Sequence, residues 1–161
     1  MPRLLSALVL SVSVLTAAAA AHADDTGVWK ALKGKILVSD QAFGASYDSD
    51  RAMIAGFKKQ ARTELKGNDG SWTLNLMVFL KAPAGAEVIN IVYYDVTDPK
   101  NRDQVNFAEV SVTTTQKTVQ INGTTVSKEL GFVAGHKYEI LATRIVNNKE
   151  DVYAKAIVTL R

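Results

Sequence analysis

Apolar and polar side chains alternate along most of the chain after residue 33, and this pattern predicts a mainly β protein. The clearest example runs from Trp72 to Leu80, where every second side chain is large and apolar. A period of two sends one face of a strand into a core. Residues 87–96 are apolar on both faces, which is typical of a central strand covered on each side.

Turn residues separate the predicted strands. Asn68-Asp69-Gly70 predicts a tight turn inside a hairpin formed by residues 62–80, and Asn147-Asn148 predicts the turn of a terminal hairpin. Asn122-Gly123 is predicted to end a strand. The remaining predicted strands are residues 34–40, 104–112, 117–121, 136–146 and 150–160. About seven to nine short antiparallel strands favour a β-sandwich over residues 34–161.

One segment follows a helical period instead. Met53, Ile54 and Phe57 recur at helical spacing, and Asp48 or Ser49 can cap the N-terminus of a helix. The chain is therefore predicted to carry one short amphipathic helix packed at an end or edge of the sandwich.

The N-terminus has the pattern of a secretory signal peptide over residues 1–23. Arg3 is followed by the apolar run 4–15, and Ala21-His22-Ala23 is a small-x-small cleavage site. A membrane anchor is the weaker alternative because the apolar run is short for a hydrocarbon core of about 30 Å. We expect a mature, exported bacterial protein whose residues 24–33 form a flexible N-terminal segment before the sandwich domain.

Composition narrows the possible functions. The chain has no cysteine, so disulfides and thiolate metal sites are excluded. Its formal net charge of +3 is too small to indicate a nucleic-acid or anionic-lipid partner. No second apolar stretch is long enough for a transmembrane helix, so stable membrane insertion is not expected.

No motif identifies a catalytic, cofactor-binding or metal-binding residue. The sequence lacks G-x-S-x-G, P-loop, Rossmann and H-E-x-x-H motifs. Asp25-Thr26-Gly27 matches the D-T-G of aspartic proteases, but no apolar strand precedes it, so a polar N-terminus explains it better. We expect no cofactor.

The loop at residues 95–103 allows two interpretations. Asp95, Asp98 and Asp103 could supply oxygen ligands to calcium, whereas the sequence from Asp95 also fits an Asx-type turn in a solvated loop. Asn122-Gly123-Thr124 matches a glycosylation sequon, which a turn explains equally well.

Aromatic residues offer a candidate binding face. Trp72, Tyr93, Tyr94 and Tyr153 could line a ligand groove, but aromatic residues at strand spacing more often form a core or cross-strand pairs. Tyr153, beside Lys155, is predicted to face outward. A protein partner could therefore bind at this Tyr/Lys face or at an edge strand.

Residues 132–146, FVAGHKYEILATRIV, resemble part of immunoglobulin-like and fibronectin type III-like sandwiches. In those folds a turn ending in glycine precedes a strand whose early tyrosine bonds to upstream backbone, and Gly135 and Tyr138 match this pattern. Trp72 is consistent with their buried tryptophan, although no cysteine pair accompanies it. The mature chain also resembles uncharacterised exported proteins of myxobacteria-like bacteria, which implies export.

His136 is the only histidine left after removal of the signal peptide. It stands where a turn meets a strand, so we expect it to be exposed and without a role, while Tyr138 is buried with its hydroxyl bonded to backbone. The favoured function is a non-enzymatic protein-binding or structural module of the periplasm or cell exterior. The alternatives are a carboxylate-dependent hydrolase acting on glycans and a calcium-stabilised adhesion-type domain. The oligomeric state is left open.

Overall fold

Eight strands and two α-helices are present in the described part of the chain, which in this computed structural model comprises residues 27–44, 46–147 and 149–161. The mainly β class is confirmed, and the predicted signal peptide lies outside the described residues. The helices are α1 (Gly27–Leu32) and α2 (Asp50–Gln60). The strands are β1 (Lys35–Ser39), β2 (Glu64–Leu65), β3 (Ser71–Phe79), β4 (Val88–Asp95), β5 (Asp103–Ser111), β6 (Thr118–Ser127), β7 (Lys137–Val146) and β8 (Lys149–Leu160).

All eight strands belong to one hydrogen-bonded sheet that curls into a half-barrel. The strand order is β5-β4-β7-β8-β1-β3-β6, and β2 pairs with β8. The two outermost strands, β5 and β6, are consecutive in the chain and are joined by residues 112–117.

The predicted β-sandwich would have two separate hydrogen-bonded sheets, whereas the described strands form one. A parallel contact between β1 and β8 joins the two halves into one sheet. That contact is a single residue pair, Lys35 with Lys155, whereas the neighbouring strands on either side pair over five or more residues.

The inner face of the half-barrel holds the main core. The alternation predicted for residues 72–80 is confirmed, because each of the five apolar side chains there is at most 2% exposed. The Trp72 indole Nε1 donates to the Arg161 carbonyl at 2.9 Å, so this buried ring keeps its polar atom paired. Burying a large apolar side chain contributes about 1.5–3 kcal/mol, so this one strand is a large stabilising element.

The two helices cover the opposite face of β1 and β3. The N-terminus of α2 is capped by Ser49, whose hydroxyl accepts from the Ala52 N–H at 3.2 Å, which confirms the predicted helix and its cap. The cluster beneath the helices consists of Val28, Leu32, Phe43, Met53, Phe57, Met77 and Phe79.

The prediction of a flexible segment over residues 24–33 is wrong for its described part. Residues 27–32 form α1, and Val28 and Leu32 are fully buried. The Trp29 indole Nε1 also donates to the Leu80 carbonyl at 2.7 Å. The apolar spacing of Val28 and Leu32 places both on one helix face, which explains why the segment docks on the sheet.

The predicted turn at Asn68-Asp69-Gly70 is confirmed, but the predicted hairpin is wrong. Asp69 and Gly70 have φ values of 51° and 74°, as a tight hairpin turn requires. The strand before the turn, β2, pairs in parallel with β8 rather than with β3. This pairing buries Leu65 in the main core, which a two-residue strand paired only across the turn would not achieve.

Asn122-Gly123 does not end a strand, contrary to the prediction. β6 continues to Ser127 through an irregularity in its pairing with β3. Gly123 has a φ of 67°, and its N–H donates to the Asn75 side-chain oxygen at 2.9 Å. The terminal hairpin is confirmed, since β7 and β8 pair antiparallel and Asn147 has a φ of 50°.

Tyr153 is buried, so the prediction that it faces outward beside Lys155 is wrong. The pairing of β7 with β8 shifts by one residue, so that Ala142 faces Ala154 and Thr143 faces Val152. Tyr153 has no partner in this register, and a bulge of this kind turns it toward the core together with Ala154.

The prediction for Tyr138 is confirmed. Its ring is 1% exposed and packs against Phe132, with ring centroids 5.0 Å apart. Its hydroxyl accepts from the Val133 N–H at 2.7 Å. Gly135 has a φ of 86°, a conformation that glycine adopts without strain, and it forms the turn between these groups.

Replacing Tyr138 with phenylalanine removes the acceptor of the Val133 N–H. We expect the free energy of unfolding to fall by about 1–2 kcal/mol, measured by urea denaturation. Tyr94→Phe is the matched control, because the Tyr94 hydroxyl has no hydrogen-bond partner among the described residues; its expected change is within about 0.5 kcal/mol. Equal losses from the two variants would contradict a bonding role for the Tyr138 hydroxyl.

Candidate functional site

The outer face of β5, β4, β7 and β8 is the candidate site, because it carries large side chains that remain exposed. Ile89, Ile91 and Tyr93 of β4 belong to the main core, so Val92 and Tyr94 point to the outer face by strand alternation. Cross-strand partners share a face of the sheet. The partners of these two residues therefore define the surface.

Two rows of cross-strand partners run across this face. The first row places Phe107 beside Val92, then Leu141, then Lys155. The second row places Tyr94 beside Glu139, then Ile157. Phe107 is 55% exposed and Ile157 is 58% exposed, although both are large and apolar.

Arg102 packs on the second row. Its guanidinium carbon lies 3.5 Å from the centre of the Tyr94 ring, a stacked cation–π arrangement. Its Nε atom donates to the Glu139 carboxylate oxygen Oε2 at 3.0 Å, and its Nη2 atom lies 2.9 Å from the same oxygen in an ion pair. The guanidinium is thus held flat against the sheet. We call the surface formed by Tyr94, Arg102, Phe107, Lys155 and Ile157 the outer patch; Leu141 lies beneath it and is 3% exposed.

A cavity of about 360 Å³ adjoins the outer patch, over the junction between β8 and β1. Leu141 and Tyr153 form part of its apolar lining, and Lys81, Arg102 and Lys155 supply cations around it. The Lys81 ammonium bonds to Asp151 at 2.6 Å and lies 5.3 Å from the Tyr153 ring centre. The cavity is therefore apolar with charged groups at its margin, where Lys81 pairs with Asp151 and Arg102 pairs with Glu139.

A second cavity, of about 720 Å³, lies toward the other end of β4 and β7. Glu87, Glu109 and Arg144 line it together with the exposed Ile145. The Arg144 Nη1 atom donates to the Ala84 carbonyl at 3.0 Å. A carboxylate-dependent hydrolase needs two carboxylates about 5–10 Å apart in a concave site. Glu87 and Glu109 are therefore the candidate pair for the hydrolase hypothesis in this cavity.

His136 has a partner, so the prediction that it is exposed and without a role is wrong. Its Nδ1 atom lies 2.6 Å from the Asp95 oxygen Oδ2, and its side chain is 38% exposed. The Thr97 N–H donates to the other Asp95 oxygen at 2.9 Å, and the Lys137 N–H donates to the Thr97 hydroxyl at 2.8 Å. These bonds tie the end of β4 to the start of β7.

The environment of Asp95 changes its acidity. Partial burial acts to raise its pKa, but hydrogen bonds from His136 and Thr97 and the charge of His136 outweigh burial and lower the pKa below its ordinary value. Burial and the Asp95 charge raise the pKa of Tyr138, despite the opposing bond from Val133. The phenol is therefore protonated at neutral pH.

The acidic loop at residues 95–103 forms the Asx-type turns that the sequence predicts. The Asp95 carboxylate accepts from Thr97, and the Asp98 carboxylate accepts from the Lys100 N–H at 2.9 Å. The Asp103 carboxylate accepts from the Asn101 side chain at 2.7 Å. Across the described residues, no group of three or more histidine, cysteine or acidic side chains is arranged to hold a metal ion.

The D-T-G match and the glycosylation sequon are the other motifs found in the sequence. Asp25 and Thr26 of the D-T-G match lie outside the described residues. The sequon residues Asn122, Gly123 and Thr124 lie within β6. Within residues 27–161, no described helix is long and apolar enough to cross a membrane.

Sequence reasoning did not single out the outer patch, although its prediction of a Tyr/Lys face included Lys155. The alternation of side chains in the strands of Phe107 and Ile157 shows that each strand has two faces, but it does not show which face is buried. The one available signal was the position of Arg102 in a polar loop next to β5, a common setting for an interface arginine.

No family model, curated protein or solved structure matches the chain. Function is therefore inferred from the chain's own residues and their geometry.

Lowering the pH tests the Asp95–His136 contact. Because the folded-state pKa of Asp95 lies below the unfolded value of about 3.9, its contribution to stability is complete above that value and is lost as the pH falls through the folded pKa. We expect Asp95→Asn to destabilise the protein near pH 6 and to differ much less from wild type near pH 2, measured by urea denaturation.

Asp98→Asn is the control for this experiment, because the Asp98 carboxylate bonds within its own loop. It should keep the wild-type dependence on pH. A constant difference between Asp95→Asn and wild type across the whole pH range would contradict the assignment.

Proposed function

We propose that the chain is an exported, non-enzymatic protein-binding module of the periplasm or cell exterior, and that the outer patch is its binding surface. One observation carries the proposal. Two helices cover the outer face of β1 and β3, whereas Phe107 and Ile157 on the outer face of the other half are each more than half exposed.

The residue types of the outer patch support protein binding. Tyrosine and arginine are enriched among the residues that contribute most to binding energy at protein interfaces, and aromatic residues are enriched in interfaces generally. Arg102 is already fixed by Tyr94 and Glu139, so a partner would find it pre-organised. Less side-chain entropy is then lost when a complex forms.

The proposal includes an immunoglobulin-like sandwich as the architecture. Only the Lys35–Lys155 pair joins β1 to β8, so the half-barrel divides naturally into a layer of β1, β3 and β6 and a layer of β5, β4, β7 and β8. The bond between Tyr138 and Val133 has the same form as the tyrosine corner of such sandwiches. Both observations support the sandwich interpretation of the single sheet.

Export is supported by the sequence of residues 1–23 alone. We expect the protein recovered from the cell envelope or medium of the producing bacterium to begin at Asp24, measured by intact mass and N-terminal sequencing. Ala23→Leu should block the cleavage and leave the precursor, whereas His22→Leu should leave the cleavage intact, since that position is unconstrained in the small-x-small pattern. A cytoplasmic chain that retains Met1 would contradict export.

Photo-crosslinking tests the outer patch as a binding surface. A photoreactive amino acid at position 157 is expected to give one defined cross-linked protein in intact producing cells, because the side chain points from the outer patch. Position 145 is the matched control, since Ile145 is also 58% exposed but lies six residues along β7 from the partner of Ile157, about 20 Å away. Identical products at the two positions, or none at 157, would contradict the proposal.

A further inference from the structure

The open edge of β5 has a definite set of backbone groups that do not pair with β4. Antiparallel partners alternate between hydrogen-bonded pairs and pairs whose N–H and C=O groups point away from each other. The Val112 N–H donates to the Glu87 carbonyl at 2.9 Å, so Val112 and Glu87 form a hydrogen-bonded pair. Counting along the register of β4 and β5, Ser111, Glu109 and Phe107 fall on the alternate positions and direct their backbone groups to the open edge.

A second observation agrees with this assignment for Phe107. Its N–H donates to the side-chain oxygen of Asn106 at 2.7 Å. A donor that faced β4 would be paired with a β4 carbonyl, so the use of a local side chain indicates that this N–H faces the edge. An incoming strand would replace that side chain with a backbone carbonyl.

Only the second half of β5 is regular. The pairing with β4 shifts between Tyr93 and Tyr94, which leaves Val105 as an extra residue. The backbone at Gly131 also approaches Val105 closely, because a Cβ there would lie 3.2 Å from a Val105 methyl carbon. The accessible edge therefore runs from Phe107 to Ser111.

Residues 107–111 lack most of the features that usually prevent strand addition. Proteins protect exposed edges with charged residues, especially lysine, and with proline, β-bulges or covering segments. The bulge of β5 at Val105 lies outside residues 107–111, and Glu109 is the charged residue within them. The nine residues of β5 contain no lysine and no proline, and β5 is the last strand on its side of the described sheet. Its charged residues are Asp103 and Glu109, so the edge is acidic.

We infer that β5 binds an extended segment of another protein as an added strand along residues 107–111, and that this segment carries lysine or arginine opposite Glu109. This inference rests on the proposed function and specifies how the partner is held. The backbone groups of Phe107, Glu109 and Ser111 supply the hydrogen bonds. Glu109 and the Phe107 ring, both on the outer face, select a cation, the carboxylate by charge and the ring by a cation–π contact.

A synthetic nine-residue peptide of alternating valine and lysine tests the inference, with an alternating valine and glutamate peptide as its counterpart. We expect the lysine peptide to bind at least tenfold more tightly than the glutamate peptide, measured by titration calorimetry. Its binding should slow hydrogen exchange at the Phe107, Glu109 and Ser111 amides, measured by NMR. Glu109→Lys should reverse the preference between the two peptides.

Phe107→Pro separates the backbone from the side chain. It removes an N–H that β4 does not use, and proline is tolerated at such edge positions. We expect it to weaken binding of the lysine peptide at least tenfold relative to Phe107→Ala, which keeps the N–H. Ser111→Pro removes the N–H of another edge residue, and it replaces Phe107→Pro in this experiment if that variant does not fold.

Three results would overturn the inference. The first is no saturable binding of the lysine peptide to the wild-type protein. The second is binding that neither Glu109→Lys nor the proline variants change. The third is a dimer in analytical ultracentrifugation that Phe107→Pro abolishes, which would mean that a second copy of the chain fills this edge. None of these results bears on cross-linking at position 157, so the failure of the edge and the failure of the outer patch are distinguishable.

Discussion

Burial of one face of every long strand inside the curled sheet is the constraint on which this protein depends. The chain has no cysteine, so no disulfide limits its unfolded state. Stability must come from the core and from contacts that fix the strand ends. The Tyr138 hydroxyl and the Asp95–His136 pair both act at one such end, where β4 finishes and β7 begins. His136 thus has a structural partner, and Tyr138 anchors the turn beside it.

The curled sheet has two outer regions, and they differ in whether other elements cover them. One is covered by α1 and α2, which bury Met77 and Phe79. The other carries Phe107 and Ile157 in water, with Arg102 fixed between them by Tyr94 and Glu139. Single exposed apolar side chains are common on protein surfaces, whereas a contiguous exposed patch marks an interaction site more often. The difference between the two faces is the physical basis for assigning binding to the second.

Local patterns predicted most elements, and non-local pairing accounts for the errors. The alternation from Trp72 to Leu80 and the cap at Ser49 are properties of neighbouring residues, so the sequence alone identifies them. The partner of β2 depends on β8, nearly a hundred residues away, which no local pattern encodes. The burial of Tyr153 was not predicted because Tyr153 is a single extra residue in β8, and simple alternation does not anticipate a bulge. The outer patch was not predicted because the alternation of side chains along a strand does not show which of two apolar faces is covered.

Hydroxyl-radical footprinting inside cells tests most directly whether the outer patch is a covered surface. Oxidation of Phe107 and Ile157 would be compared between purified protein and protein in the intact producing cells, with Ile145 as the internal reference of equal exposure to Ile157. The account predicts strong oxidation of Phe107 and Ile157 in the purified protein and protection of both in cells, relative to Ile145. Equal oxidation of the outer patch in the two settings would contradict it.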